Sequence, residues 1–147
     1  MKQYEDYQTM EKIGIEKYKD TGFCTVVAVA TVTGMSFARA HKKMAKNGNR
    51  KLRRGANLFD MFKVIESHGY KVSDIGYHNV YGRSMTLSEA AKLYDRGTYL
   101  ISTHKHITAV VDGDINDHTN PKRTTYRKKT SKAKVLKICR VTKTQGE

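Results

Sequence analysis

The chain has 147 residues, 38% of them hydrophobic, with no Trp and a mean hydropathy of −0.66. That size and composition suit one domain, residues 1–147, with an adequate core, and no apolar run has the length needed to cross a bilayer. The net charge is +14, and only two cysteines are present, Cys24 and Cys139, which argues against a disulfide framework and for a reducing compartment.

The first twelve residues, MKQYEDYQTMEK, hold no apolar stretch of the kind a secretory signal needs. A cytoplasmic protein without membrane association is expected. Residues 1–20 are polar and Tyr-bearing and read as a short helix or an extended arm. Asp20-Thr21-Gly22 reads as a turn. Thr25 to Gly34, TVVAVATVTG, has the β-branched residues of a strand; its length, its alanines and the Gly34 stop suit a buried helix better. Ser36 can cap a second helix with Phe37, Ala40 and Met44 on one face. A third helix fits 57–68, with Leu58, Met61, Phe62 and Ile65 inward and Gly69 beyond its end. Thr86-Leu-Ser-Glu89 is a capping box that opens a fourth helix over 87–94.

Past Arg96-Gly97 the pattern becomes β-rich. Strands are expected over 98–102 and 106–111, with Asp112-Gly113 as a hairpin turn, a return over 114–118, and a last strand at about 135–141. Helices followed by an antiparallel sheet define an α+β fold. Between the last two strands lies a basic segment, about 121–134, holding Lys122, Arg123, Arg127, Lys128, Lys129, Lys132 and Lys134. Residues 121–147 carry ten Lys/Arg against Glu147, a net of +9, which leaves +5 for residues 1–120. Such a segment attracts nucleic acid or another polyanion without sequence preference. Tyr126 is its one aromatic residue, so no base-stacking platform is evident. A second basic stretch, Lys46 to Arg54, reads as a solvated loop.

The chemistry-bearing residues are a thiol, an imidazole and a carboxylate in chain order. Cys24 at a helix start meets unpaired backbone N–H groups and the positive end of the helix dipole, both of which favour thiolate. Gly22 would leave room there for a substrate backbone. His106, Thr108 and Val110 alternate on one strand face, with Ile107, Ala109 and Val111 on the other. A two-residue loop at Asp112-Gly113 pairs Val111 with Asp114, so Thr108 faces Asp117. Asp117 is then a same-face diagonal neighbour of His106, at a Cβ separation of about 7–8 Å. Asn116 points to the opposite face. A three-residue loop would instead turn Asn116 and His118 toward His106. His104-x-His106 could join Cys24 or Asp117 in a zinc-like set, but there is no Cys-x-x-Cys or His-Glu-x-x-His, so no metal or cofactor is assigned. His41, His68, His78 and His118 show no partner pattern.

The stretch from Asp20 through Cys24 to Gly34, followed by Ser36-Phe-Ala-Arg-Ala-His41, resembles the nucleophile helix of small papain-like cysteine peptidases found in bacteriophages and bacteria. The stretch from Arg96 through His106 to Asp117 is similar to their His-bearing strand, hairpin and acid. This resemblance implies a papain-like fold and a thiol hydrolase acting on a peptide or protein. It casts Cys24 as nucleophile, His106 as general base and Asp117 as the residue that orients the imidazole, with a setting in a host-cell cytoplasm or a virion. Such enzymes carry a Gln or Asn a few residues before the cysteine. Here neither occurs between Glu16 and Phe23, and the nearest amide is Gln8. A catalytically weak or inactive relative, bound to nucleic acid or a viral assembly through its basic segment, is the alternative.

Overall fold

The run from Cys24 to Thr33 is apolar apart from its threonines, and it can bury itself fully only as a helix with partners on every side. The computed structural model, which describes residues 4–76, 84–116 and 133–144, shows that arrangement. Helix α2 spans Cys24–Thr33, and its residues from Thr25 to Thr33 are all buried. Two of the threonines satisfy their buried hydroxyls within the helix, Thr31 Oγ1 donating to the Val27 carbonyl and Thr33 Oγ1 to the Val29 carbonyl. Gly34 stops the helix in the left-handed conformation, at φ 76°.

Around α2 lie α1 (Tyr7–Lys12), continued by a π-helical turn over Ile13–Lys17, then α3 (Phe37–Asn47) and α4 (Leu58–Ser67). Local sequence starts each of these helices. Ser36 Oγ accepts from the Arg39 N–H, and Asn57 Oδ1 from the Phe59 N–H. Phe37, Ala40 and Met44 are buried on α3, and Met61, Val64 and Ile65 on α4. The opening residues are therefore helical from Tyr7 rather than an extended arm.

The sheet has five antiparallel strands: β1 (Tyr70–Asp74), β2 (Thr98–Thr103), β3 (His106–Val111), β4 (Asp114–Ile115) and β5 (Lys137–Lys143). Their spatial order is β1-β5-β2-β3-β4. The expected α+β class holds, while helices and strands are less segregated than expected, because β1 falls between α4 and α5. Its sequence, YKVSD, carries only a four-residue alternation and depends on long-range pairing with β5, Val72 opposite Val141 at its centre. The last strand begins two residues later than expected. Val135 and Leu136 instead donate their N–H groups to Met85 and to Ser102, the latter on β2.

Two apolar clusters cover the two faces. Leu100, Ile107, Ala109, Cys139 and Val141 meet α2 and its neighbouring helices. Tyr99, Ile101, Val110, Ile115 and Ile138 pack against Met85 and against Leu87, Ala90 and Ala91 of α5 (Leu87–Leu93), which opens with the Thr86–Glu89 capping box. Asp112 and Gly113, at φ 50° and 81°, form the two-residue turn that pairs Val111 with Asp114. Among the described residues no helix is long and apolar enough to cross a membrane.

Asn116, fully buried beyond β4, joins three parts of the fold. Its Nδ2 donates to Thr31 Oγ1 at 2.8 Å and to the Glu5 carbonyl at 3.0 Å, and its Oδ1 accepts the Tyr7 N–H at 2.8 Å. Replacing Asn116 by Ala strands these partners in the interior. Urea unfolding should show a loss of about 3 kcal/mol; a loss below about 1 kcal/mol would mean the three bonds contribute little net stability.

Candidate active site

Cys24 is the first residue of α2 and the one residue of that helix that reaches solvent, being half-buried while the next nine are buried. Phe23, at the N-cap, has no side chain able to cap, so no side chain meets the first N–H groups of α2 there. Cys139 is the contrasting thiol. It lies buried on β5 opposite Leu100, and burial pushes its pKa up, with Asp74 adding to the rise and Lys137 opposing it.

The approach to Cys24 is held by a carboxylate. Asp20 is fully buried. Its oxygens accept Arg50 Nη2 at 2.8 Å, His41 Nε2 at 2.9 Å, the Arg53 N–H at 2.9 Å and the Gly22 N–H at 3.2 Å. Arg50, 4% exposed, also donates to the Gly22 carbonyl at 2.7 Å, and Arg53 Nε donates to the Lys19 carbonyl. Burial on its own would raise the Asp20 pKa. The Arg50 and His41 hydrogen bonds, the Arg50 charge and the Arg53 N–H outweigh it and hold the carboxyl below its ordinary range. Two buried polar atoms without a partner, Thr25 Oγ1 and Arg50 Nε, belong to residues that frame this approach.

These pairings revise three sequence expectations. The stretch Lys46–Arg54 is not simply a solvated loop, since Arg50 is interior. His41 has a partner in Asp20 and stacks on Tyr18 at 4.2 Å between centroids. Gly22 serves this chain's own backbone: a Cβ there would sit 2.6 Å from the Arg53 carbonyl, so the room it leaves is filled by the 50–54 loop. A hydrophobic-period reading has no means of finding such pairings, because the partners are some thirty residues apart.

Two bonds fix the direction of α2 across the sheet. Tyr70 OH donates to the Thr33 carbonyl, and Tyr70 lies at the end of the sheet where Val72, Val141, Thr98 and Val111 align. Asn116 joins Thr31 to the level of Ala109, whose carbonyl accepts the Asn116 N–H. The helix therefore runs from the Thr103–His106 end of the sheet, at Cys24, toward the Val111 end. Seven residues of helix separate Thr31 from Cys24, about 10 Å. Three of strand separate Ala109 from His106, also about 10 Å. Cys24 therefore lies toward the Thr103–His106 end of the sheet, and His106 belongs to the face of β3 opposite the one that α2 covers. Alternation gives Ile107 and Ala109 to the α2 side and His106, Thr108 and Val110 to the α5 side. His106 is half-buried at the first position of β3, beside the turn where Lys105 takes φ 53°.

Asp117 lies outside the described residues, as do His78, His118, Lys122, Arg123, Arg127, Lys128, Lys129 and Lys132. Lys134 is described and exposed, bridging to Thr86. Gln8 is exposed on α1. Among the described residues no group of three or more His, Cys, Asp or Glu is placed to hold a metal ion. Comparison of the chain with protein-family models, with curated proteins and with solved structures finds no match.

The Asp20 cluster carries a signed pH dependence. A carboxylate whose folded pKa is depressed contributes stability that is complete above its unfolded pKa of about 3.9 and is lost as pH falls through the folded value. Asp20→Asn, which leaves the buried Arg50 without its counter-charge, should cost about 3–5 kcal/mol near neutrality. The gap to wild type should shrink as the pH drops below about 3.9. Urea midpoints of both proteins across that range check it; a gap independent of pH would count against the charge-based account.

Proposed function

We propose that the chain is a papain-like cysteine hydrolase, a peptidase or isopeptidase, with Cys24 as nucleophile, His106 as general base and Asp117 as the group that orients the imidazole. The observation that carries this reading is the isolation of Cys24: one solvent-reaching thiol at the head of an otherwise buried helix, on an approach loop clamped by Asp20. Cys24 lies toward the end of the sheet at which β3 begins with His106, which is compatible with the pairing. The alternation of β3 sets the requirement, which is that the imidazole reach Cys24 around the end of the strand.

In the reaction the imidazole takes the thiol proton and the thiolate attacks a peptide or isopeptide carbonyl. The Cys24 backbone N–H, at the open N-terminus of α2, stabilises the oxyanion. The imidazolium then gives its proton to the leaving amine, and a thioester forms. Water, deprotonated by the same imidazole, displaces the thiol and releases a carboxylic acid. The setting implied by the resemblance is a host-cell cytoplasm or a virion. The alternative of an inactive relative docking through residues 121–134 predicts no special thiol reactivity.

Iodoacetamide near neutral pH should therefore alkylate Cys24 well ahead of Cys139, read by peptide mass mapping. His106→Ala should abolish the preference. Equal, slow labelling of both thiols in the wild type would sink the hydrolase reading. A preference that survives in His106→Ala would remove His106 as the base while leaving Cys24 activated by the helix terminus alone.

A further inference from the structure

At the other end of α2 the surface changes character. His68 closes α4 and Tyr70 opens β1, with Gly69 between them at φ 93°. The His68 and Tyr70 rings are nearly parallel, 8° apart in tilt, with centroids 6.3 Å apart. Lys143, directly opposite Tyr70 in the β1–β5 pair, and Thr144 complete a cleft of about 330 Å³ with them. Thr144 is fixed there by its N–H and its hydroxyl, both donating to the Gly69 carbonyl at 3.0 Å. Tyr70 is anchored by its hydroxyl to the Thr33 carbonyl.

One cation, Lys143, lines this cleft, and two more lie near enough to His68 to act on it. Arg39 and Lys43 stand one turn apart on α3. Burial first, and then the charges of these two residues, hold the His68 imidazole below its ordinary range. Lys143 is exposed, and among the described residues no carboxylate lines the cleft. Glu66, two residues before His68, is turned to the Val72 N–H at 3.5 Å and lies outside the lining, so the cations are not neutralised within the cleft, and an anion seated there relieves their mutual repulsion.

We propose that this cleft binds the phosphate backbone of a single-stranded nucleic acid, with Lys143, Arg39 and Lys43 on the phosphates and the Tyr70 and His68 rings beside the bases. A strand offers both of the features the cleft matches, a line of phosphates and flat base faces. A lipid surface matches less well. The exposed apolar side chains Ile15, Leu52, Phe59, Ile75, Leu93 and Leu136 all lie outside the cleft lining, whereas a face that docks on a membrane buries such groups. The cleft lining includes neither Cys24 nor any described residue of the basic segment, so the proposal stands whether or not the thiol is catalytic.

The test uses the full chain and a fluorescein-labelled oligothymidylate, followed by anisotropy at several salt concentrations. Lys143→Glu and the double variant Arg39→Glu/Lys43→Glu, all at side chains outside the core, should each weaken binding by about tenfold or more. Each should also reduce the salt slope by about one for every phosphate left without its cation. Because a charge reversal can act at a distance, NMR of the wild-type protein supplies the second reading. The oligonucleotide should shift the His68, Gly69 and Tyr70 resonances at fixed pH. Affinity that both variants retain, or that disappears only when Lys128, Lys129 and Lys132 are changed to Gln, overturns the proposal. So does binding that leaves the three resonances unmoved. Inorganic phosphate and anionic phosphatidylserine vesicles are titrated in parallel; occupancy by either one, without oligonucleotide binding, also overturns it.

Discussion

Burying an ionised carboxylate costs several kcal/mol unless every oxygen finds a donor, and Asp20 is buried at the point where the chain turns into its central helix. Its donors come from three separated places: the Gly22 N–H, His41 on α3, and Arg50 with the Arg53 N–H beyond α3. The consequence is geometric as much as energetic. Residues 19–22 and 50–53 become one unit, and α2 starts from it. That matters because α2 is apolar on every side, and apolar burial is non-directional. Packing alone would let such a helix slide or rotate. Polar anchors at both ends remove that freedom: the Asp20 cluster at the head, and Thr31–Asn116 with Thr33–Tyr70 at the foot.

The foot of α2 depends in turn on a two-residue turn. Asp112 and Gly113 both take positive φ, the conformation that lets two antiparallel strands join with their natural twist. This register sends Ile115 to the α5 side and Asn116 to the α2 side. A shift of one residue would exchange them, putting an amide among Val110 and Ile138 and an isoleucine against Thr31. Asn116 would lose all three of its bonds at once. The hairpin therefore positions the helix on which the thiol sits, although turn and thiol are far apart in the chain.

What could be read from the sequence was whatever is decided locally. The Ser36 and Thr86 caps, the Gly34 and Gly69 stops and the Asp112-Gly113 turn depend on neighbours within four residues, and each appears where those residues predict it. So does the parity of β3, which puts His106 and Ile107 on opposite faces. Asn57, read as the first residue of its helix, is instead its cap. What could not be read depends on partners far along the chain. β1 alternates apolar and polar residues only from Tyr70 to Ser73, too short a run to stand out, and is fixed as a strand by β5 beside it. Arg50 looks like one more solvated cation in a run of them, and only the distant Asp20 makes it interior. α2 was ambiguous because nearly all of its residues are buried: with no polar face there is no period to detect. The same uniformity hides the feature that matters most, which is that Cys24 alone comes to the surface.

Direction is the property that ties these parts together. A ten-residue helix is about 15 Å long, and here its two ends carry opposite chemistry. The head presents a thiol and open N–H groups, and the foot delivers the Thr33 carbonyl to Tyr70, which lies opposite Lys143 in the cleft. Because α2 is buried along its length, neither end can move without the other. A polyanion seated at the foot would leave the head accessible, since about 15 Å of packed helix lies between them. It would also hold the thiol at a fixed offset from the strand. In such a molecule the charge acts on where the thiol is, and the local geometry at Cys24 decides what it does there.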